Sequence, residues 1–301
     1  MYNYLKVLSE DTIMNNDNKM KAALLCLSTN TWLEDDNTDE PHEAFELFSP
    51  KLRCDKVLWN EYTVYLRDCG INTLILNLGD GVRYESHPEL AVEGALSVDE
   101  LKRELSRLKK LGFEVIPMLN FSAAHDIWLG DYAHMIATVP YYRVCADLID
   151  EVCEIFEAKY FHIGMDSESF ETQKDFFYVA VRHKELWWHD VYFFVDRILG
   201  NGARAIIFTD KMKEAGNDAF FNGLPPSVIA SPVYDGSEDS LDRIKAICDA
   251  GYDLFPIGIP DDALNDAVSD DHFLGAVAVN EVILDRSRHE QNLKSADAAR
   301  R

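Results

Sequence analysis

The chain has 301 residues, with 29 Lys and Arg against 53 Asp and Glu, a formal net charge of −24. Such a charge repels phosphate backbones and anionic lipid, which argues against nucleic acid or a membrane surface as partner. With 47% hydrophobic and 11% aromatic residues, the chain can bury a large core, which excludes disorder for most of its length.

Residues 1–20 are polar and aperiodic, an N-terminal tail. The first predicted strand, Ala22–Ser28, is too short for a membrane span, and no small-residue cleavage site follows it. Asp55 then opens a helix whose apolar positions are Val57, Leu58, Tyr62 and Leu66, with Gly70 beyond its end. A second strand is predicted at Thr73–Leu78. Ser97 with Glu100 forms a capping box ahead of Leu101, Leu105 and Leu108, and Gly112 follows that helix. After a third strand, Phe113–Leu119, Pro140 opens a helix over Tyr141–Phe156. The fourth strand is Tyr160–Met165, and a helix at Leu186–Leu199 ends at Gly200. Strands five and six follow at Arg204–Thr209 and Ser227–Ser231. A helix at Ser240–Ala250 ends at Gly251, and the last two strands are Asp253–Ile257 and Phe273–Val279. Residues 286–301 are a polar C-terminal tail.

Nearly continuous apolar strands alternating with helices are the pattern of a parallel sheet covered on both faces. Eight such strands in one chain of this length predict an α/β fold, a (β/α)8 TIM barrel forming a single domain over 21–285. An open doubly wound sheet is the alternative. However, no GxGxxG follows the first strand and no GxxxxGK[ST] occurs, so no nucleotide cofactor is signalled. No HxH, HExxH or Cys-His spacing signals a metal, and the acidic run Glu34–Asp36 reads as a solvated loop. The expectation is therefore no cofactor and no dedicated metal. Six cysteines without a CxxC pair point to buried thiols and a cytoplasmic compartment.

A barrel's active site lies at the carboxyl ends of its strands. There the sequence places Trp32, Glu34, Asp35, Asp80, Arg83, Glu85, Asn120, His125, Asp126, Trp128, Asp166, Glu168, Asp210, Tyr234, Asp235, Asn280 and Glu281. Singly, each has an ordinary explanation as a turn residue or helix cap. Carboxylates converging from four or more strands do not, because like charges crowded at one mouth destabilise it. Strand alternation points Asp166 and Glu168 to the same side. A close pair of carboxyls can keep one proton near neutral pH, which is the chemistry of an acid catalyst.

The segment Lys159-Tyr-Phe-His-Ile-Gly-Met-Asp-Ser-Glu168 resembles the His-x-Gly-Gly-Asp-Glu motif of glycoside hydrolase family 20, the β-N-acetylhexosaminidases, with His162, Gly164 and Asp166 in place. Gly79-Asp-Gly-Val-Arg-Tyr-Glu-Ser-His-Pro-Glu-Leu90 is similar to that family's Asp-Gly-Trp-Arg-x-Glu and Pro-x-Leu segment. Pro117–His125 loosely resembles its Asp-x-Pro-Gly-His loop. These motifs cover residues 70 to 170; the rest matches only as a barrel. The resemblance implies hydrolysis of a terminal sugar, an N-acetylhexosamine, from a small glycan. In that scheme Asp166 orients the 2-acetamido group that attacks the anomeric carbon, and a carboxylic acid protonates the leaving oxygen. Ser167 occupies the acid's position, so Glu168, one residue on, is the candidate acid. Asp80, Arg83, Asn120, His125 and Asp210 would hold sugar hydroxyls. Trp32, Trp128 and Tyr234 would supply flat faces, since strands five to eight contain no tryptophan. Two rival expectations stand beside this one: a catalytically inactive carbohydrate-binding or scaffold barrel, and a barrel of other chemistry that binds a cation at the acidic mouth.

Overall fold

A computed structural model gives the structure and describes residues 19–31, 33, 46–166, 168–260, 263–264, 268, 271–285 and 288–299. Seven strands, β1 (Met20–Cys26), β2 (Thr73–Asn77), β3 (Glu114–Met118), β4 (Tyr160–His162), β5 (Arg204–Phe208), β6 (Ile229–Ser231) and β7 (Gly275–Ile283), make one parallel sheet in the order β6-β5-β4-β3-β2-β1-β7. Alternation along β1 explains the layering. Ala22, Leu24 and Cys26 face an inner cluster with Ile75, Ile116, Ile206, Ile229, Phe255 and Val277, whereas Ala23 and Leu25 face the helices. The sheet curls into a half-barrel around that inner cluster.

The helices are α1 (Lys56–Asp68), α2 (Val98–Lys110), α3 (Val139–Phe156), α4 (Phe170–Gln173), α5 (Glu185–Gly200), α6 (Lys211–Ala215), α7 (Asn217–Gly223), α8 (Glu238–Asp249) and α9 (His289–Ala299). The predicted start signals act as expected: Asp55 accepts from the N–H of Val57 at 2.8 Å, and Ser97 and Glu100 form a reciprocal capping box. Within 286–301, α9 docks on α1: Tyr62 donates to the Asn292 carbonyl at 3.0 Å, and Ala296 and Ala299 are buried. No described helix is long and apolar enough to cross a membrane.

Seven of the predicted strands have counterparts, and the exception has a local cause. Asp253–Ile257 is not a continuous strand; Leu254 bridges Ala230 and Phe273, and Ile257 bridges Val233 and Val277, all in parallel. Pro256 lacks the N–H that an unbroken ladder requires. Strand β4 stops three residues before its predicted end because Gly164 (φ 68°) and Met165 (φ 63°) both turn left-handed. Strand β7 runs on past Val279, with register shifts against β1 and with Glu281 at φ 49°, the signature of a bulge at the strand's carboxyl end.

Candidate active site

The carboxyl ends of β3 and β4 build the centre of the site. His125 Nε2 lies 3.0 Å from Asp166 Oδ2, with the two side chains 26% and 22% exposed, so both are open to a ligand. His125 Nδ1 donates to the Thr31 carbonyl at 3.2 Å. Asn120, itself buried, directs its amide N–H at both Asp166 oxygens (3.4 and 3.5 Å) and accepts through Oδ1 from the N–H groups of Ser122 and Met165. Glycine is required at 164. A Cβ there would stand 1.9 Å from Asn120 Oδ1 on a backbone at φ +68°.

Burial alone would discharge His125, but Asp166 overrides it, with Glu281 and the Thr31 carbonyl adding to the effect, and raises its pKa to about 9. The imidazolium and Asp166 thus form an ion pair at neutral pH. Burial raises the Asp210 carboxyl, and Asp166 adds to that rise; Glu281, exposed at the rim, is raised by partial desolvation among its neighbours and by Asp166 against the pull of His125. Asp166, Asp210 and Glu281 therefore act on one electrostatic centre. Below it, buried His162 accepts from the Gly164 N–H at 3.0 Å, packs at a tilt against Phe208, and is held neutral by burial at a pKa of about 4.

Glu168 is elsewhere. The two left-handed residues end the strand alternation, so Asp166 turns up to His125 while Glu168 turns into the interior, fully buried against Arg182. Arg182 Nε donates to both Glu168 oxygens (3.0 and 3.1 Å), and Nη2 makes a further short contact. Glu168 also accepts from the N–H of Ala123 (2.8 Å) and Arg182 (3.1 Å). Asp190 Oδ2 holds Arg182 Nη1 at 2.8 Å. Buried, with its oxygens engaged by Arg182 and the Ala123 N–H, Glu168 lacks the access to substrate of a general acid. Asp126, beside this network, is raised to about 8 by burial and by Glu168 against the pull of Arg182.

The other predicted residues divide. Asp80 is buried, accepts from Ser28 Oγ and Asn30 Nδ2 (both 2.6 Å), and is pushed up to about 6 by burial. With Trp128, Glu89, Asp131 and Tyr132 it lines a cavity of about 500 Å³ that neither Asp166 nor His125 reaches. Trp128 is 1% exposed, and its indole N–H donates to the Asn120 carbonyl at 2.9 Å. It is a support beneath the site rather than an open stacking face. Arg83 is exposed on the two-residue bridge Val82–Arg83, away from that cavity. Asp210 precedes α6, 3.7 Å from Lys213 Nζ. Tyr234 is half-buried. Trp32, Glu34, Asp35 and Ser167 lie outside the described residues. Among the described residues, no group of three or more His, Cys, Asp or Glu side chains is placed to hold a metal ion.

Sequence reasoning placed Asp126 after the third strand without assigning it a role, and it missed Arg182 and Asp190 as members of the site's framework. Arg182 sits in an aperiodic stretch between helices, and its only signal is a charge directly after the apolar run 176–181.

No protein-family profile matches the chain, and no curated protein does. Solved structures do. The chain is similar to the family 20 exo-β-N-acetylglucosaminidase of Vibrio harveyi in complex with N-acetylglucosamine (TM-score 0.64, 13% identity, 94% of this chain and 54% of that one). It is similar to the β-N-acetylhexosaminidase of Bacteroides fragilis (0.62, 12%, 94% and 65%) and to that of Streptomyces plicatus in complex with thio-NAglucal (0.61, 12%, 94% and 64%). The chain spans about half to two thirds of their lengths. The fold is accordingly that of the family 20 β-N-acetylhexosaminidases, in divergent form.

Proposed function

We propose that the protein is a glycosidase of the family 20 kind that takes the terminal N-acetylhexosamine of a small glycan at the mouth of an eightfold barrel, with Asp166 as the orienting carboxylate. The His125–Asp166 pair, 3.0 Å apart and partly open, carries this reading. A carboxylate held by an imidazolium and an amide is suited to steer an acetamido N–H and to balance the positive charge that develops as the acetamido oxygen attacks. In this reading His125, Asn120 and Asp210 are the groups that meet hydroxyls. The parallel bridges of Leu254 and Ile257 on both sides support closure between β6 and β7.

Glu168 is not the proton donor in this reaction. Glycosides whose leaving group departs as a stable anion are therefore the substrates to expect, and alkyl glycosides react far more slowly. The Glu168–Arg182 ion pair also favours a second reading, a barrel that binds the sugar without cleaving it. Dinitrophenyl and methyl N-acetyl-β-glucosaminides, assayed beside calorimetry with an N-acetylglucosamine thiazoline, separate the two. Turnover of the aryl glycoside that Asp166→Asn abolishes supports hydrolysis. Thiazoline binding without turnover of either glycoside supports the binding barrel. Absence of both turnover and binding overturns both.

A further inference from the structure

Arg182 lies between α4 and α5, 1% exposed, and no step of the proposed chemistry uses it. Its donors nonetheless reach three separate pieces of chain. Nη2 donates to the Phe121 carbonyl at 2.6 Å in the loop after β3; Nε donates to Glu168 in the loop after β4; Nη1 donates to Asp190 on α5 at 2.8 Å. Glu168 closes the same knot from its other side by accepting from the Ala123 N–H. The anchors in the two loops are within a few residues of groups at the mouth. Phe121 adjoins Asn120, Ala123 is two residues from His125, and Glu168 is two residues from Asp166.

We propose that Arg182 is a positioning residue: by clamping the loops after β3 and β4 to each other and to α5, it sets the approach of His125 to Asp166.

Stability alone does not call for such an arrangement. Taking an arginine and two carboxylates out of water costs several kcal/mol per ion, and well-packed apolar side chains commonly do as well. What the guanidinium adds is direction, a planar fork that fixes several acceptors at once. The two loops it joins are those whose side chains must be held to a fraction of an ångström for the proposed reaction.

The experiment compares Glu168→Gln and Arg182→Met with Leu108→Ala, a fully buried position on α2 remote from the mouth. The readouts are the NMR titration of His125, hydrogen exchange at the Ala123 N–H, and thiazoline affinity. Asp166 and Glu281 are the charges that raise the His125 value, whereas Asp126 interacts with both Glu168 and His125, so the exchange at Ala123 is read beside the titration to separate movement from a change of charge. In Glu168→Gln the expected result is a His125 midpoint displaced toward the ordinary imidazole value of about 6.5, faster exchange at Ala123, and affinity weakened about tenfold or more. Leu108→Ala should lose thermal stability with His125 unchanged. Arg182→Met leaves two carboxylates buried without their cation and can fail to fold, which is why Glu168→Gln decides. A wild-type titration and wild-type exchange in Glu168→Gln, or an equal displacement in Leu108→Ala, would overturn the proposal. Only the affinity arm rests on the proposed sugar site. If the wild type binds no thiazoline, that reading fails while the titration and exchange still decide the role of Arg182.

Discussion

Replacing Asp166 with Asn should abolish a pH dependence of stability that belongs to His125. The ordinary imidazole value of 6.5 is raised to about 9 in the folded protein. At about 1.4 kcal/mol per pH unit this corresponds to about 3 kcal/mol favouring the charged form, an upper bound because both side chains are about a quarter exposed. Between pH 6.5 and 9 the native state holds a proton that the unfolded chain has released, so this contribution is complete below 6.5 and declines as pH rises through 9. In Asp166→Asn the main term that raises the value is gone while burial continues to lower it, so His125 should titrate below 6.5. Urea denaturation of both proteins at pH 6, 7.5 and 9.5 measures the difference; groups that Asp166 does not act on cancel in the subtraction, and NMR titration of His125 separates its share from those of Asp210 and Glu281, which Asp166 helps to raise. The wild type should lose up to about 3 kcal/mol more than the variant across that range. Identical slopes, or a wild-type His125 that titrates near 6.5 by NMR, would refute the ion pair and with it the electrostatic account of the mouth.

Gly164→Ala forces a Cβ to within 1.9 Å of Asn120 Oδ1 at positive φ, and thermal melting should report a loss of about 3 kcal/mol or more. Trp128→Ala removes a fully buried indole, so chemical denaturation should show a cost of about 3–5 kcal/mol; a stable variant that has only lost sugar affinity would mean that the ring is a stacking face after all. Asp126 keeps its proton up to about pH 8, so at pH 7 Asp126→Asn replaces a neutral group by a neutral one and should change stability by less than about 1 kcal/mol. A raised carboxyl contributes stability that declines from the unfolded value up to about pH 8, and a denaturation series over pH 4–8 should be flatter in this variant.

The elements that could be read from the sequence are those set by contacts a few residues apart. Asp55 and Ser97 cap their helices with N–H groups two or three residues on, and the apolar runs of β1 and β2 are buried on both faces whatever lies beyond them. The same local chemistry placed polar side chains after each strand, and the motif through His162, Gly164 and Asp166 pointed to the family 20 fold. Direction was not legible in that way. Alternation predicts a common side for Asp166 and Glu168, but it applies only while the backbone is extended, and Gly164 and Met165 leave that conformation to accommodate Asn120 from another strand.

The tertiary structure alone decided which acid met which base. Asp166 found His125 across 41 residues, between loops brought together by the parallel order of β3 and β4, and Glu168 found Arg182 across 14, within the connection that folds back between β4 and α5. Chain proximity fixes whether a helix starts; the fate of a buried charge depends on which opposite charge the fold carries to within 3 Å, because inside the protein an unpaired ion costs more than any local preference can repay.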